Sequence, residues 1–269
     1  MAKRAFCVGI NRYPQPGMDL QGCVNDAHNW SSLLRDHYDF AKDDVSLLLD
    51  EDATHANIVA GIKDLLGGGR RGDVLVFTNS SHGTYLADTS GDEPVYDEAM
   101  CPYDTADNPL VDDQLRELFA NVPAGAHLAV ISDSCHSGTV TRALPVPTPD
   151  QRRVRFMNPR AIGRPEIPDV RRVAQPRKAV AAEAHPEADM LEVLMSGCLA
   201  KQYSYDAVIA DQPTGAFSHF AIAAIRAADY KITYEELHQQ VVPALAESNY
   251  DQEPQLEGAP EHKARQIFV

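Results

Sequence analysis

Five short apolar runs, separated by segments with helical spacing, most constrain how this 269-residue chain can fold. Continuous apolar runs are typical of strands that are buried on both faces of a sheet. When strands alternate with helices, a mostly parallel sheet covered on both sides is favoured. The sequence therefore predicts an α/β fold. The runs are AFCVGI (5–10), VSLLL (45–49), DVLVFT (73–78), HLAVIS (127–132) and MLEVLM (190–195).

Apolar residues repeat at intervals of three and four over residues 24–34, 58–66, 111–119 and 215–229, which predicts helices there. Thr54 is a candidate N-cap for the second of these helices, and Gly67 is a candidate stop. The sequence TYEE at 233–236 has the pattern of a capping box, so another helix is predicted to begin there.

Residues 145–188 interrupt this alternation, because they contain eight prolines and little apolar periodicity. The part from 151 to 178 carries nine Arg and Lys side chains against two acids. We interpret this segment as a long basic surface loop. It would divide a large portion (1–144) from a smaller one (189–269) that completes the same domain.

Composition excludes several classes of protein. The sequence has no apolar run of the roughly 18 residues that a membrane-spanning helix needs. Five scattered cysteines without a CxxC pair argue against a disulfide framework and for a reducing, cytoplasmic location. A formal charge of −15 disfavours binding to nucleic acid.

Two of the predicted strands end in polar clusters, VFTNSSHG (76–83) and AVISDSCHSG (129–138). The carboxyl ends of parallel strands form the binding edge of an open α/β sheet, so His82 and Cys135 are expected to lie side by side. An imidazole beside a thiol favours the nucleophilic thiolate. A buried core thiol and a structural histidine are the alternatives, and they are the commoner roles of isolated residues of these types.

The order of five fragments resembles the caspase-like cysteine peptidases, and within them the metacaspases and bacterial orthocaspases. The spacing of 53 residues between His82 and Cys135 is similar to the roughly 50 residues between the two catalytic residues of caspases. The resemblance implies a caspase-hemoglobinase-like three-layer sandwich and a cysteine endopeptidase that acts as a monomer on proteins or peptides. The fragments are VGINRY, LQGCVNDA, HG with DSCHSG, VDDQL, and SGCLAKQYSYD with GAFSHF.

The resemblance also implies roles for individual residues. Cys135 would be the nucleophile, His82 the general base and acid, and the N–H groups of Gly83 and Cys135 the oxyanion hole. The specificity pocket would be acidic and take Arg or Lys. Its matching residues are Asp26 and Asp133, with Cys23 and Ser80 beside them.

The basic loop and an acidic segment lead to two further hypotheses. An Arg- or Lys-specific protease that carries an exposed Arg-rich loop is expected to cleave itself there, although a solvated linker or a basic lid is the alternative.

Residues 88–113 hold nine acids and no Lys or Arg. A bound calcium ion would reduce the repulsion between these carboxylates. The resemblance implies that Asp97, Asp112 and Asp113 would be calcium ligands, and a solvated acidic loop is the alternative. A catalytically weak caspase-fold regulatory module remains an alternative to the enzyme, and so does transpeptidation through the same acyl-enzyme.

Overall fold

A computed structural model of the chain describes residues 1–87, 96–135, 152–165, 187–199 and 202–269. Its strands are β1 (Lys3–Gly9), β2 (Val45–Leu49), β3 (Val74–Ser80), β4 (Gly83–Ala87), β5 (Tyr96–Met100), β6 (Leu110–Val111), β7 (His127–Asp133), β8 (Arg153–Val154), β9 (Glu192–Ser196), β10 (Tyr205–Ile209), β11 (Gln212–Gly215) and β12 (Gln255–Glu257). Its α-helices are α1 (Cys23–His37), α2 (His55–Leu66), α3 (Asp112–Phe119), α4 (Ala216–Ala227), α5 (Tyr234–Glu247) and α6 (Pro260–Lys263).

Six strands form the main sheet in the order β12-β9-β7-β3-β1-β2. All neighbours are parallel except β12 and β9, which pair antiparallel. The five predicted strands are all present in this sheet, so the α/β prediction is confirmed. The predicted small portion contributes β9 next to β7, which means that both portions build one sheet.

The sheet is the middle of three layers, as alternate residues of β3 illustrate. Val74 and Val76 belong to the apolar cluster on the face covered by α1, α4 and α5. Leu75 and Phe77 belong to the cluster on the opposite face, which α2 and α3 cover. Because side chains alternate between the two faces of a strand, a continuous apolar run supplies both clusters.

Helix ends follow the predicted capping residues. Thr54 Oγ1 accepts a hydrogen bond from the Asn57 N–H at 3.3 Å, and α2 ends at Leu66, directly before Gly67. Thr233 and Glu236 form the predicted capping box at the start of α5. Both caps use side-chain oxygens to satisfy N–H groups that have no partner within the helix. Within the described residues, no helix is both long and apolar enough to cross a membrane.

Two small antiparallel sheets flank the carboxyl edge of the main sheet. One pairs β4, β5 and β6, and the other pairs β8 with β10 and β11. β8 consists of two residues from the segment that we interpret as a surface loop. The small sheets therefore bring part of that segment to the edge where His82 and Cys135 follow their strands.

The prediction of a surface loop is wrong for residues 155–157. Arg155 and Met157 have no exposed surface, and Phe156 is 4% exposed. The backbone of β8 pairs with Tyr205 and Asp206 of β10, which holds the following residues against the body of the protein. Residues 145–151 and 166–186 of the predicted loop lie outside the described part of the chain.

Candidate active site

The site lies at the carboxyl ends of β1, β3 and β7. Gly9, Ser80 and Asp133 are aligned across these three strands. His82 follows β3 by two residues, and Cys135 follows β7 by two residues. The predicted base and nucleophile therefore leave neighbouring strands at the same edge of the sheet, where open α/β sheets bind their ligands.

His82 is held in one orientation by its neighbours. Its Nε2 lies 2.7 Å from the carbonyl oxygen of Met18, so Nε2 carries the proton and donates it to this carbonyl. Tyr13 packs beside the imidazole, with ring centroids 5.0 Å apart, and its hydroxyl accepts a hydrogen bond from the His82 backbone N–H. Burial lowers the pKa of His82 to about 4, although the hydrogen bond to the Met18 carbonyl oxygen acts in the opposite direction. The imidazole is consequently neutral at pH 7, and Nδ1 has no hydrogen-bond partner among the described residues.

Cys135 is fully buried, and its thiol lies against the backbone of Ser204. Cys135 Sγ is 3.3 Å from the Ser204 carbonyl oxygen and also accepts a hydrogen bond from the Ser204 N–H. The thiol of Cys198 is a further neighbour, since a side-chain hydrogen bond to Cys135 raises the pKa of Cys198. The thiol is therefore turned towards Ser204 and Cys198, and it makes no hydrogen bond to His82 Nδ1.

The carbonyl group of Arg155 occupies the predicted oxyanion hole. Its oxygen accepts hydrogen bonds from the Gly83 N–H at 3.0 Å and from the Cys135 N–H at 3.2 Å. These are the two donors that the sequence analysis assigns to a developing oxyanion. The peptide bond between Arg155 and Phe156 is thereby held next to the backbone of Cys135, the candidate nucleophile.

The side chain of Arg155 fills a pocket of three carboxylates. Arg155 Nη2 lies 2.6 Å from Asp26 Oδ2 and 3.1 Å from Asp206 Oδ1. Arg155 Nη1 lies 3.2 Å from Asp133 Oδ2 and donates to the Asp133 carbonyl oxygen at 3.0 Å. Hydrogen bonds to charged groups are the stronger ones, and the flat guanidinium presents several donors in a fixed geometry.

The pocket carboxylates are themselves held by further donors. Asp26 accepts from the Thr214 hydroxyl and from the Gly215 N–H, at 2.8 and 3.0 Å to Oδ1. Asp133 accepts from the Ser218 N–H and hydroxyl and from the Ser204 hydroxyl. Burial raises the pKa of Asp26 to about 6, and the Arg155 guanidinium opposes this shift.

The other two predicted pocket residues lie close by and are buried. Cys23 is fully buried at the start of α1, and burial raises the pKa of its thiol well above the usual range. Ser80 is the last residue of β3 and is 2% exposed. Among the described residues, neither side chain makes a hydrogen bond to Arg155, so Cys23 and Ser80 are placed as neighbours of the pocket.

Asp206 is the pocket residue that the sequence analysis missed, and Arg155 was not singled out among the nine basic residues of 151–178. Asp206 lies in β10, and its carboxylate also accepts from the N–H groups of Gln21 and Gly22 at 2.8 and 2.9 Å. The available signal was the acid that ends the quoted fragment SGCLAKQYSYD. For Arg155 the signal was the pair Phe156-Met157, two large apolar residues that are adjacent in a basic, proline-rich segment.

Residues before Arg155 run as an extended strand along β10. Arg153 pairs with Asp206 and Val154 with Tyr205, and the Arg155 N–H donates to the Ser204 carbonyl oxygen at 2.9 Å. Arg152 reaches the ring of Tyr250, with its guanidinium carbon 4.2 Å from the centroid. Backbone pairing of this kind is how an extended peptide is added to a sheet edge.

The predicted calcium ligands lie on β5 and at the start of α3. Asp97 is 5% exposed, whereas Asp112 and Asp113 both contact the guanidinium of Arg116. Within the described residues, no group of three or more His, Cys, Asp or Glu side chains is arranged to hold a metal ion. These three carboxylates alone therefore do not form a calcium site. Asp88, Asp92 and Glu93 of the acidic segment lie outside the described residues.

Comparison with protein families gives one matching domain. Residues 3–144 match the model described as "Metacaspase, peptidase C14 domain", which is more than half of the chain. Metacaspase-1 of Pyricularia oryzae is 32% identical over 286 residues, covering 94% of this chain and 71% of the relative. Metacaspase-7 of Arabidopsis thaliana is 41% identical over 145 residues, covering 51% of this chain. The chain spans about a third of the length of that relative and of Arabidopsis metacaspases 8 and 4.

Two solved structures extend the likeness to the whole fold. A Geobacter sulfurreducens protein is 27% identical with a TM-score of 0.74, covering 100% of this chain and 99% of that one. Caspase-1 from Spodoptera frugiperda is 12% identical with a TM-score of 0.60, covering 96% of this chain and 86% of that one. The second likeness concerns the fold alone, and the predicted caspase-like architecture is confirmed.

Proposed function

Because the chain belongs to the metacaspase family of C14 cysteine peptidases, we propose that it is a cysteine endopeptidase that cleaves after Arg or Lys. We further propose that its first substrate is its own Arg155–Phe156 bond. One observation carries both proposals: Arg155 has its carbonyl oxygen on the Gly83 and Cys135 N–H groups and its guanidinium among three carboxylates. A residue held in this way by its backbone and its side chain has the arrangement of the residue before a bond to be cleaved.

Attack requires one local movement. Cys135 Sγ leaves the Ser204 backbone and turns to the carbonyl carbon of Arg155, whose oxygen already lies on the Cys135 N–H. His82 Nδ1 takes the thiol proton, since Nε2 keeps its own proton on Met18. The carbonyl oxygen gains negative charge between the two N–H donors.

Collapse of this intermediate breaks the bond to Phe156. The amine of Phe156 leaves with the proton from His82 Nδ1, and the Arg155 carbonyl is left as a thioester on Cys135. Water, deprotonated by the same imidazole, then hydrolyses the thioester. The products are an Arg155 carboxylate, a new amino terminus at Phe156 and the free thiol.

The acidic pocket supports the preference for a basic side chain. Three buried carboxylates with one guanidinium leave an excess of negative charge, so an acidic side chain would be repelled. A Lys ammonium is a point charge and pairs with fewer of these oxygens at once. We therefore propose that Arg is preferred to Lys at this position.

Calcium is proposed as an activator on the basis of resemblance and acidic charge. The described carboxylates Asp97, Asp112 and Asp113 would supply part of the coordination. Oxygen ligands from the rest of the acidic segment would be needed to reach the six to eight that calcium takes. No catalytic step is assigned to the ion.

The test is a set of matched peptides that differ only in the residue before the cleaved bond: Arg, Lys, citrulline or Asp. The wild-type chain is expected to cut the Arg peptide fastest, then the Lys peptide, while the Cys135→Ala variant cuts neither. Citrulline is nearly isosteric with Arg but uncharged, so slow cleavage of it isolates the effect of charge. Cleavage after Asp, or equal activity of the Cys135→Ala variant, would overturn the proposal. Absence of cleavage under all conditions would favour a regulatory module.

A further inference from the structure

Phe156, the residue that follows Arg155, lies between two tyrosine rings. Its ring centroid is 5.9 Å from that of Tyr85, with an angle of 14° between the ring planes, and 6.1 Å from that of Tyr203. All three side chains are buried, with 2% exposure for Tyr85, 4% for Phe156 and 9% for Tyr203. With Cys135 and Cys198 they form an apolar cluster separate from the two clusters of the main sheet.

The backbone of the same segment is fixed on the carboxyl side of the Arg155–Phe156 bond. Phe156 forms a parallel bridge with Gly83, and the Met157 N–H donates to the Gly83 carbonyl oxygen at 2.9 Å. Gly83 therefore holds the Arg155 carbonyl with its N–H and the next part of the chain with its carbonyl. With the backbone anchored at both points, the side chain after the bond lies between Tyr85 and Tyr203, as that of Phe156 does.

We propose that Tyr85 and Tyr203 form an aromatic specificity slot for the residue on the carboxyl side of the cleaved bond. The proposal rests on the proposed function, because it concerns a second subsite of the same peptidase. It defines the substrate class as peptides with Arg or Lys followed by an aromatic residue, with Phe156 as the example that the chain itself carries.

The chemistry of the slot favours a ring over a small side chain. Aromatic side chains bury large apolar areas, and ring pairs at these separations are attractive beyond the area they bury. The Tyr203 hydroxyl has no hydrogen-bond partner among the described residues, so the contribution of Tyr203 to the slot comes from its ring. Replacing Tyr203 by Phe should accordingly preserve the slot, whereas replacing it by Ala should open one wall.

The experiment uses quenched fluorescent peptides that copy residues 154–158, in which Arg155 is the single basic residue, one with Phe after Arg and one with Ala in its place. The full-length wild-type chain is expected to cleave the Phe peptide with a kcat/KM at least tenfold higher, which corresponds to about 1.4 kcal/mol. Competition from the chain's own Arg155 segment lowers both rates by the same factor, so the ratio is unaffected. Tyr203→Phe should keep the ratio, and Tyr203→Ala should reduce it to about twofold or less.

The outcomes separate this proposal from the proposed function. If the chain cleaves neither peptide, and no other Arg peptide, the peptidase proposal itself fails. If it cleaves both with equal kcat/KM, the peptidase proposal survives and the slot is overturned, with Phe156 acting only as an anchor for its segment. A Phe preference that survives Tyr203→Ala unchanged also overturns the assignment to these rings.

Discussion

Arg155 and Asp26 form an ion pair of 2.6 Å in which neither side chain has any exposed surface. The two residues are 129 positions apart in sequence. The sequence predicts that Asp26 lines the specificity pocket and that the Arg-rich stretch 151–178 is the substrate of self-cleavage. Burying two charges is costly unless their geometry and further hydrogen bonds compensate. Asp133, Asp206, Thr214 and Gly215 supply those further contacts.

Removing the guanidinium should destabilise the intact chain. In the uncleavable Cys135→Ala background, Arg155→Ala leaves three buried carboxylates without a cation, so a loss of about 3 kcal/mol or more in unfolding free energy is expected. Thermal unfolding measures it, with Arg155→Lys expected to lose clearly less. The exposed neighbour Arg153 is the matched control, and Arg153→Ala should melt close to the parent. Equal melting temperatures for all three variants would contradict a charged pocket.

Asp206 should matter for substrate as much as the two predicted pocket acids. Its carboxylate accepts hydrogen bonds from Arg155 and from the N–H groups of Gln21 and Gly22. Asp206→Asn removes the negative charge and replaces one accepting oxygen by an NH2 group, which would face one of these donors. Cleavage of an Arg peptide is expected to fall at least tenfold in kcat/KM. Asp211→Asn, at an exposed turn residue that follows β10, should leave the rate unchanged. Retention of full activity by Asp206→Asn would remove this residue from the pocket.

The preference for Arg over citrulline should depend on pH. Burial raises the pKa of Asp26 to about 6, so acidification below pH 6 protonates this carboxylate and removes one negative charge from the pocket. His82 stays neutral over the same range because burial lowers its pKa to about 4. The ratio of kcat/KM for matched Arg and citrulline peptides should therefore decline as the pH falls from 7 to 5. A ratio that stays constant over that range would be inconsistent with titration in the pocket.

Calcium binding is directly measurable on the inactive chain. Titration calorimetry of the Cys135→Ala variant is expected to give a binding signal that Asp97→Asn weakens, because Asp97 is a predicted ligand in the acidic segment. Asp64→Asn, on the surface of α2, serves as the control for general loss of negative charge. Absence of calcium uptake by the parent Cys135→Ala variant would rule out the calcium proposal.

Local patterns predicted most of the scaffold from the sequence. The five strands follow from continuous apolar runs, because a buried parallel strand supplies both faces of the sheet. Thr54 and Thr233 were identifiable as caps because capping depends on neighbours within a few residues. The carboxyl ends of parallel strands meet at one edge of the sheet, so the positions of His82 and Cys135 after their strands were enough to place both at that edge. The predicted cytoplasmic location and monomeric state stay predictions.

The contacts of Arg155 were not predictable in the same way. The segment 145–188 has the composition of a solvated linker. Composition indicates how exposed a segment is on average and does not identify a single buried residue within it. Arg155 is buried by pairing between β8 and β10 and by carboxylates from three separate elements, which are interactions between distant parts of the chain. Asp206 was missed for a related reason, since only the paired strand brings it to Asp26 and Asp133.

In the proposed function, the chain holds its own Arg155–Phe156 bond as a substrate. Mass spectrometry of the purified wild-type chain, incubated with and without calcium, tests this proposal. We expect a fragment that ends at Arg155 and a partner that begins at Phe156, both absent from the Cys135→Ala variant and from Arg155→Ala. Cleavage that continues at another basic residue while the Arg155–Phe156 bond stays intact would contradict the claim, as would a wild-type chain that remains whole while cutting Arg peptides.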